Sequence, residues 1–145
     1  MRHGNDLLTP DLFPLPTARL AAAGTLAVGV DLRHLISEEI ARSQRSRQEI
    51  AEAMSELTGQ PISKHSLDSW TAESRDAWRF PLEYLPAFEE ATQTHGLTTW
   101  MADVRGGKML FGREALDAEI GRLERERDDS TRRIRQLKQL AGGMQ

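Results

Sequence analysis

Apolar residues recur every three or four positions along most of the chain, a spacing that predicts amphipathic α-helices. The first helix is expected to begin at Asp31, a candidate N-cap, and to end near Arg42. Its apolar face consists of Leu32, Leu35, Ile36 and Ile40. Since only one side of this helix is apolar, we expect that side to pack against a core.

The segment SRQEIAEAMSELTGQPISKHSLDSW, which starts at Ser46, predicts two more helices with a turn between them. Ser46 and Glu49 have the spacing of a capping box, in which each side chain accepts a hydrogen bond from the backbone N–H of the other residue. Gly59 supplies a helix stop, and Pro61 prevents the helix from continuing. The predicted buried side of this second helix is Ile50, Ala51, Met54 and Leu57.

Ser63 stands where it can cap a third helix, in which Leu67 and Trp70 lie on the inner side. Helical geometry then turns the opposite side of this helix toward solvent. The residues predicted on that outer side are His65, Asp68, Ser69 and Ala72, with Lys64 at its flank. The third helix is therefore expected to expose short polar side chains.

Shorter helices are expected in the region that ends at Gly112. Pro81 fits a first helical position, and the helical pattern is clearest from Pro86 to Ala91. Gly96 separates this helix from LTTWMADV, another short amphipathic stretch, and the KMLF that follows is too short to assign to a strand. An aromatic plug of a small core, rather than a ligand cage, is predicted from Trp78, Phe80, Tyr84 and Phe88.

Residues 113–141 carry the clearest pattern of all. Their seam residues are spaced alternately by four and three, as in the heptads of a coiled coil: Leu116, Ile120, Leu123, Arg127, Ser130, Ile134, Leu137 and Ala141. The other faces are dense in charges of both signs. Because such a helix cannot bury its apolar stripe alone, we expect it to pair with another chain or to fold back. The predicted oligomerisation residues are Leu116, Ile120, Leu123, Ile134 and Leu137.

Residues 1–29 contain three prolines and then a run of alanine and glycine, without the period of a helix or a strand. A segment of this composition buries too little surface to offset its chain entropy, which predicts a flexible arm. Within DLFPLP, Leu12, Phe13 and Leu15 are candidates for docking into a groove of a partner protein. The alternative is that these residues fold back onto the domain.

The composition limits the classes of function. A chain of 145 residues has room for one compact domain with an appendage. It contains no cysteine, which excludes disulfides and thiolate metal sites and is typical of a reducing compartment. Its four histidines, His3, His34, His65 and His95, lie far apart along the chain and lack the spacing of a zinc site. We therefore expect neither a metal nor a cofactor.

The sequence also argues against a membrane protein and an enzyme. The most apolar stretch, residues 20–30, is too short to span a bilayer, and it follows a proline-rich segment that holds Asp6 and Asp11 where a signal peptide would have a basic start, so we expect a cytoplasmic protein. It shows no glycine-rich phosphate loop and no nucleophile next to a base. The net charge of −3 argues against coating nucleic acid through bulk positive charge, so a DNA-binding protein of this composition must concentrate its cations locally.

Three helices in succession, with a turn between the second and the third, are typical of helix-turn-helix proteins, in which the third helix enters the major groove of DNA. The side chains predicted to contact bases or phosphates are Lys64, His65, Ser66, Asp68 and Ser69. The predicted phosphate-binding cations beside them are Arg42, Arg45, Arg47 and Arg75. The connection from Thr58 to Ser63 is longer than the standard turn of about 3 to 4 residues, which leaves a protein-binding bundle as the alternative.

Residues 66–92, SLDSWTAESRDAWRFPLEYLPAFEEAT, resemble a signature of small regulatory proteins encoded by Mu-like transposable phages and prophages. They are more distantly similar to phage CII-type transcriptional regulators. The resemblance extends from about Ile36 to the charged C-terminal helix, and TAESR and WRFPLEYLPAF are its specific parts. It implies a helix-turn-helix protein that binds DNA as an oligomer in phage gene control. Carried onto this chain, it implies that Lys64 to Trp70 form the recognition helix and that the C-terminal helix joins the copies.

The sequence thus predicts an all-α protein with a flexible arm over residues 1–29. A helix-turn-helix core of about five short helices would occupy residues 30–112, followed by an oligomerisation helix over 113–141. The expected partners are double-stranded DNA, further copies of the chain in a dimer or tetramer, and a protein that binds the arm. A dimer is expected to favour half-sites about one DNA turn apart. The alternative function is an adaptor that recruits a phage or host protein without binding DNA.

Overall fold

The computed structural model describes residues 17–75 and 77–143, and within these ranges every regular element is a helix. The α-helices in chain order are α1 (Gly29–Arg42), α2 (Arg47–Thr58), α3 (Lys64–Thr71), α4 (Leu85–Thr92), α5 (Gly96–Val104) and α6 (Arg113–Gly142). A 3₁₀ turn over Leu82–Tyr84 precedes α4. The chain divides into a helical domain that ends at Lys108 and a C-terminal unit that begins at Met109. The all-α prediction is confirmed, and KMLF forms neither helix nor strand.

The first helix begins at Gly29, two residues before the predicted cap. The Leu32 N–H donates to the Val28 carbonyl at 2.9 Å, which brings residue 29 into the first helical turn. Asp31 therefore lies inside this turn, where a carboxylate interacts favourably with the helix dipole. Its carboxylate also pairs with the Arg19 guanidinium at 3.0 Å. The prediction of Asp31 as the N-cap is wrong because the helix starts earlier.

The caps predicted for α2 are present. The Glu49 N–H donates to the Ser46 hydroxyl at 3.3 Å, and the Ser46 N–H donates to the Glu49 carboxylate at 2.6 Å. Gly59 adopts a left-handed conformation with φ of 66°, and its N–H donates to the Ser55 carbonyl. The Ser55 hydroxyl in turn accepts from the Ile62 N–H at 2.9 Å, a bond across the turn that the sequence pattern did not predict. These contacts fix where α2 ends and how the chain turns toward α3.

The core of the helical domain lies between α1, α2, α3, α4 and α5. Its fully buried large side chains include Ile36, Ile50, Met54, Leu67 and Phe88. The predicted aromatic plug is present in part. The rings of Trp70 and Phe80 have centroids 5.3 Å apart, those of Phe80 and Phe88 are 5.6 Å apart, and both pairs meet edge to face.

Two residues predicted in the core are exposed. Leu57 lies in the last turn of α2, one turn beyond the buried Met54, where the packed surface of that helix has ended. Trp78 is 47% exposed because it lies in the irregular segment after α3, where its ring meets His65 instead of Phe80. The other three aromatic residues of the predicted plug lie in or against the core.

Two carboxylates fix the start of α5. The buried Glu89 of α4 accepts the Thr98 N–H at 2.8 Å and the Thr98 hydroxyl at 2.7 Å. The carboxylate of Glu39 from α1 lies so close to Gly96 that a Cβ atom at this glycine would come within 2.5 Å of it. Gly96 was predicted to separate α4 from the next helix, but it is the first residue of α5. Both carboxylates face the positive end of the helix dipole, which favours their charge there.

The described part of the predicted arm is residues 17–29, of which 17–28 contain turns but no helix and Gly29 already belongs to α1. The Arg19 N–H donates to the Val104 carbonyl at the end of α5 at 3.1 Å. Ala18 lies directly against Gly106, which has a positive φ of 72° and leaves no room for a Cβ atom. This part of the predicted arm is therefore attached to the helical domain. The DLFPLP motif with Leu12, Phe13 and Leu15 lies outside the described residues.

The C-terminal unit consists mainly of α6, a helix of 30 residues. It contains no buried residue, and its leucine and isoleucine side chains are between 50% and 68% exposed. Its charged side chains form pairs within the helix, such as Arg132 with Asp129 at 2.7 Å. None of the helices in the described ranges combines the length and hydrophobicity that a membrane crossing requires.

Candidate nucleic-acid interface

The third helix is fixed in the domain by its apolar side. Leu67 and Trp70 are buried, and α3 packs against both α1 and α2. The Ser63 hydroxyl accepts from the Ser66 N–H at 3.1 Å and so caps the first turn, as predicted. With the inner side anchored, Lys64 and His65 are exposed and Asp68 is half-buried. The start of α3 therefore presents charged and polar groups to solvent.

Asp68 joins two cations across the helices. The Lys64 ammonium donates to one of its carboxylate oxygens at 2.9 Å, and the Arg47 guanidinium lies 3.3 Å from the other. The hydrogen bond from Lys64 is the largest cause that lowers the pKa of Asp68, and the charges of Lys64 and Arg47 lower it further. Arg47 also donates to the Thr71 hydroxyl at 3.1 Å, so the start of α2 is bonded to the end of α3.

A second group of side chains surrounds His65. The Arg75 guanidinium donates to the Ser69 hydroxyl at 2.7 Å and lies 3.3 Å from Nε2 of His65. The rings of His65 and Trp78 meet edge to face, with centroids 6.2 Å apart. The segment that follows α3 thus folds back alongside the helix and brings a cation and an aromatic ring to its exposed side.

Ser69 does not face solvent, contrary to prediction. It is only 1% exposed, because Arg75 from the returning segment covers it and bonds to its hydroxyl. Ser66 is also engaged, since its N–H bonds to the Ser63 hydroxyl and the two hydroxyls lie 3.1 Å apart. Both serines therefore contribute to the framework of α3, and the exposed polar set is smaller than the sequence predicted.

Arg42 and Arg45 make their bonds elsewhere. The Arg42 guanidinium pairs with Glu39 at 2.8 Å and with Glu38 at 3.4 Å, both on its own helix. Arg45 donates to the Ala91 carbonyl near the end of α4 at 3.1 Å. The two arginines line a groove of about 350 Å³ together with residues 43–44 and 91–94. These bonds thus do not connect Arg42 or Arg45 to the side chains at the exposed side of α3.

Five of the predicted residues are brought together: Arg47, Lys64, His65, Asp68 and Arg75. We call this set the α3 cluster. With neutral histidine, its three cations and one carboxylate leave two positive charges in a chain whose formal charge is −3. Thr71 and Trp78 also contact the cluster, and the sequence reasoning missed both. The distance of Trp78 from α3 along the sequence gave no signal of this contact, because an irregular segment returns its ring to the helix.

The seam of α6 is a second candidate surface. All five predicted oligomerisation residues are exposed and apolar: Leu116, Ile120, Leu123, Ile134 and Leu137. They occupy heptad positions along one uninterrupted helix, with Arg127 and Ser130 at the two seam positions between Leu123 and Ile134. The exposed leucine and isoleucine side chains on either side of these two residues form the kind of surface that associates with another apolar surface.

Among the described residues, no group of three histidine, aspartate or glutamate side chains has the arrangement that could hold a metal ion. No protein-family model, no curated protein and no solved structure matches this chain.

Proposed function

We propose that this protein binds double-stranded DNA through the exposed side of α3 and that it does so as an oligomer. The observation that carries the proposal is the α3 cluster. Buried Leu67 and Trp70 hold the helix in the domain, while Lys64 and His65 of the cluster remain exposed. Arg47 lies on one side of this surface and Arg75 on the other. A short helix with polar side chains of this kind suits the major groove, in a helix-turn-helix arrangement of α2 and α3.

The ion pairs within the cluster fit such a role. Lys64 and Arg47 share one carboxylate, and both are partly exposed, so the pairs are weak and DNA phosphates can replace them. Asp68 adds selectivity, because a carboxylate accepts from the amino group of cytosine and repels a misplaced phosphate. The positive excess around α3 supplies the local concentration of cations that an acidic chain needs to bind DNA.

The setting we propose is phage transcription control in the cytoplasm. Residues 66–92 resemble Mu-like phage regulators, and this stretch includes Asp68 and Arg75 of the α3 cluster. The exposed seam of α6 supports an oligomer, since one small helical module buries little DNA surface and two linked modules gain affinity through effective concentration.

The test selects bound duplexes from a random pool and measures their affinity by fluorescence anisotropy at several salt concentrations. Lys64→Ala and His65→Ala should each weaken binding, by about 5- to 100-fold for a base contact. Lys64→Ala should also reduce the slope of log affinity against log salt by about one if the lysine contacts a phosphate. The matched control is Lys108→Ala, which removes the same charge from an exposed site outside the α3 cluster.

Equal affinity of Lys64→Ala and Lys108→Ala would contradict the proposal, and so would binding that does not depend on salt. A second function is favoured by the seam of α6, whose exposed apolar side chains also suit a different protein. In that case the chain is an adaptor. Capture of a protein partner that survives the loss of Arg45 and Arg47 but fails without residues 1–20 would support the adaptor, provided that no duplex is selected.

A further inference from the structure

We infer that α6 pairs with α6 of a second copy of this chain in the antiparallel orientation. The inference rests on the oligomeric part of the proposed function and does not depend on DNA binding. The exposed seam calls for an apolar partner, and α6 lacks any buried residue in the single chain. The orientation follows from two features of the helix: the symmetry of its seam and the charges that flank it.

The seam is symmetric about its midpoint, between Asp128 and Asp129. Antiparallel helices rotated about this point bring each seam residue opposite another seam residue, with no offset. The alignment pairs Leu116 with Ala141, Ile120 with Leu137, Leu123 with Ile134, and Arg127 with Ser130 of the second copy. Large apolar side chains therefore meet large apolar side chains in the layers on either side of the centre, as knobs-into-holes packing requires.

The central layer of the seam, which contains Arg127 and Ser130, distinguishes the parallel from the antiparallel orientation. In a parallel pair, Arg127 would face Arg127 of the second copy at the seam, and two like charges would be held close together. In the antiparallel pair, Arg127 instead faces the small Ser130, which leaves room for the guanidinium to extend toward solvent. Arg127 already pairs with Asp128 on its own helix at 2.9 Å, and this partner remains next to it.

The positions that flank the seam divide by charge along the helix. One flank consists of Asp117, Glu124, Thr131 and Lys138, and the other of Glu119, Glu126, Arg133 and Leu140. All four flanking residues in the first half of α6 are acidic. In the second half, two are basic and two are uncharged. Charges at flanking positions form salt bridges between the helices of a coiled coil and so influence the choice and the orientation of the partner.

Antiparallel helices pair each flank with the same flank of the other copy. Asp117 then meets Lys138, and Glu126 meets Arg133, while the remaining pairs join a charged to an uncharged residue. Twofold symmetry repeats every pair. The antiparallel dimer thus contains four oppositely charged pairs across the interface and no like-charged pair at these positions.

Parallel helices pair each flank with the opposite flank of the other copy, five residues further along. Glu119 would then meet Glu124, and Arg133 would meet Lys138. With both copies counted, a parallel dimer contains four repulsive pairs and no attractive one at these positions. The flanking charges therefore favour the antiparallel orientation and disfavour the parallel one.

The ion pairs inside α6 do not oppose this arrangement. Arg122 pairs with Glu119 at 2.6 Å and also contacts Glu126, and Arg113 lies 3.8 Å from Asp117. These pairs are exposed and lie within one helix, where each contributes little. A glutamate such as Glu126 has two oxygens, so it can accept from Arg122 of its own helix and from Arg133 of the second copy together.

The antiparallel orientation also fixes where the two chains enter the pair. The two α6 helices begin at opposite ends of the pair, which are about 45 Å apart for helices of 30 residues. The two connections to the helical domains therefore leave from opposite ends of the pair.

The orientation is tested with disulfides in the full chain, which has no native cysteine to interfere. Ile120→Cys and Leu137→Cys are each oxidised alone and as an equal mixture, and the products are identified by intact mass. The antiparallel pair should give a covalent heterodimer in the mixture and little homodimer from either variant alone. A covalent homodimer of Ile120→Cys as the main product would overturn the inference, because only parallel helices bring position 120 of one copy next to position 120 of the other.

A charge reversal gives an independent test by equilibrium sedimentation. Arg133→Glu should weaken the antiparallel dimer about tenfold, since it faces Glu126 twice, whereas it would strengthen a parallel dimer by removing its repulsion from Lys138. The added change Glu126→Arg should restore the association. Arg132→Glu is the matched control, because it makes the same charge change at the neighbouring position on the outer face of α6.

The outcomes separate this inference from the proposed function. Stronger association of the Arg133→Glu variant would overturn the antiparallel orientation. The oligomeric part of the proposed function would remain. A chain that sediments as a monomer at high concentration would overturn both the orientation and the oligomeric part of the proposal. Neither experiment contains DNA, so a failure to bind duplexes would count against the α3 cluster alone.

Discussion

The helical domain and α6 have similar amphipathic patterns but opposite fates for their apolar residues. Every buried hydrophobic side chain among the described residues lies in the helical domain, and none lies in α6. The five short helices of the helical domain cover one another, whereas α6 has no other helix in its own unit to cover it. An apolar stripe on a helix therefore predicts that this side of the helix will be covered, but it does not identify the element or the partner that covers it.

The two regions also use charge differently. Buried carboxylates of the helical domain, such as Glu89, accept defined hydrogen bonds that fix how helices join. Among the described residues, no buried polar side-chain atom lacks a partner. The charges of α6 are exposed and paired along one helix, where they add little stability. We infer that the helical domain is stable through its own core and that α6 gains most of its stability by association.

The largest expected effect compares the same substitution in the two regions. Ile36→Ala removes a side chain that is 0% exposed and should lower the free energy of unfolding of the helical domain by about 2–5 kcal/mol. Ile134→Ala removes one that is 54% exposed and should leave that unfolding unchanged while it weakens association. Urea titrations followed by tryptophan fluorescence check this, because all three tryptophans lie in the helical domain.

Sedimentation of the same two variants completes the comparison. Ile36→Ala should associate as the wild type does under conditions where it remains folded. An equal loss of domain stability in both variants would show that α6 supports the core of the helical domain. The contrast between the two regions would then be wrong.

A glycine in each region sharpens the contrast, since the same change should act with opposite sign. Gly96→Ala would bring a Cβ atom within 2.5 Å of the buried Glu39 carboxylate, and should destabilise the helical domain by about 1–3 kcal/mol. Gly121→Ala lies inside α6, where the new methyl group meets only the flexible end of Arg125. It should increase helix stability by up to about 1 kcal/mol.

Circular dichroism at 222 nm during thermal unfolding of the two glycine variants measures both signs. The contact between Glu39 and Gly96 is tested further by Glu39→Ala, which removes the obstructing carboxylate. In the Glu39→Ala background, Gly96→Ala should cost much less than in the wild type. An unchanged cost would mean that the obstruction lies elsewhere.

Local signals in the sequence were sufficient to predict much of the fold. The capping box of Ser46 and Glu49, the stop at Gly59 and the cap at Ser63 are all present. Each of these involves residues a few positions apart, so its physics is contained in a short segment. The same holds for the heptad pattern of α6, which correctly gave a long helix.

Two contacts of the candidate residues could not be predicted from the sequence. Ser69 has the position of an outward residue on α3, yet Arg75, six residues further along the chain, returns and covers it. Arg45 bonds to the Ala91 carbonyl of α4, and its role as a phosphate-binding cation stays a prediction. Neither contact has a periodicity or a motif that reports it, because each depends on where an irregular segment or another helix lies. The candidate site was therefore predicted less well than the helices that hold it.

The smallest expected effect concerns a single helix start in the helical domain. The hydrogen bond from the Ser46 N–H is the largest cause that lowers the pKa of Glu49, and the Ser46 hydroxyl bond lowers it further. A carboxyl with a lower pKa in the folded state stabilises the fold above its pKa in the unfolded chain, about 4.3. This contribution is lost as the pH falls through the lower, folded-state pKa.

Glu49→Gln keeps a side chain that can accept the capping bond but removes the charge. It should be less stable than the wild type at pH 7, and the difference should disappear at pH values below the folded-state pKa. Ser63→Ala is the control, because the cap of α3 contains no carboxylate, and it should cost about 1 kcal/mol at every pH. Urea unfolding at pH 7 and at a series of lower pH values measures both variants. A deficit of Glu49→Gln that does not shrink as the pH falls would mean that shape, and not charge, makes Glu49 effective in the box.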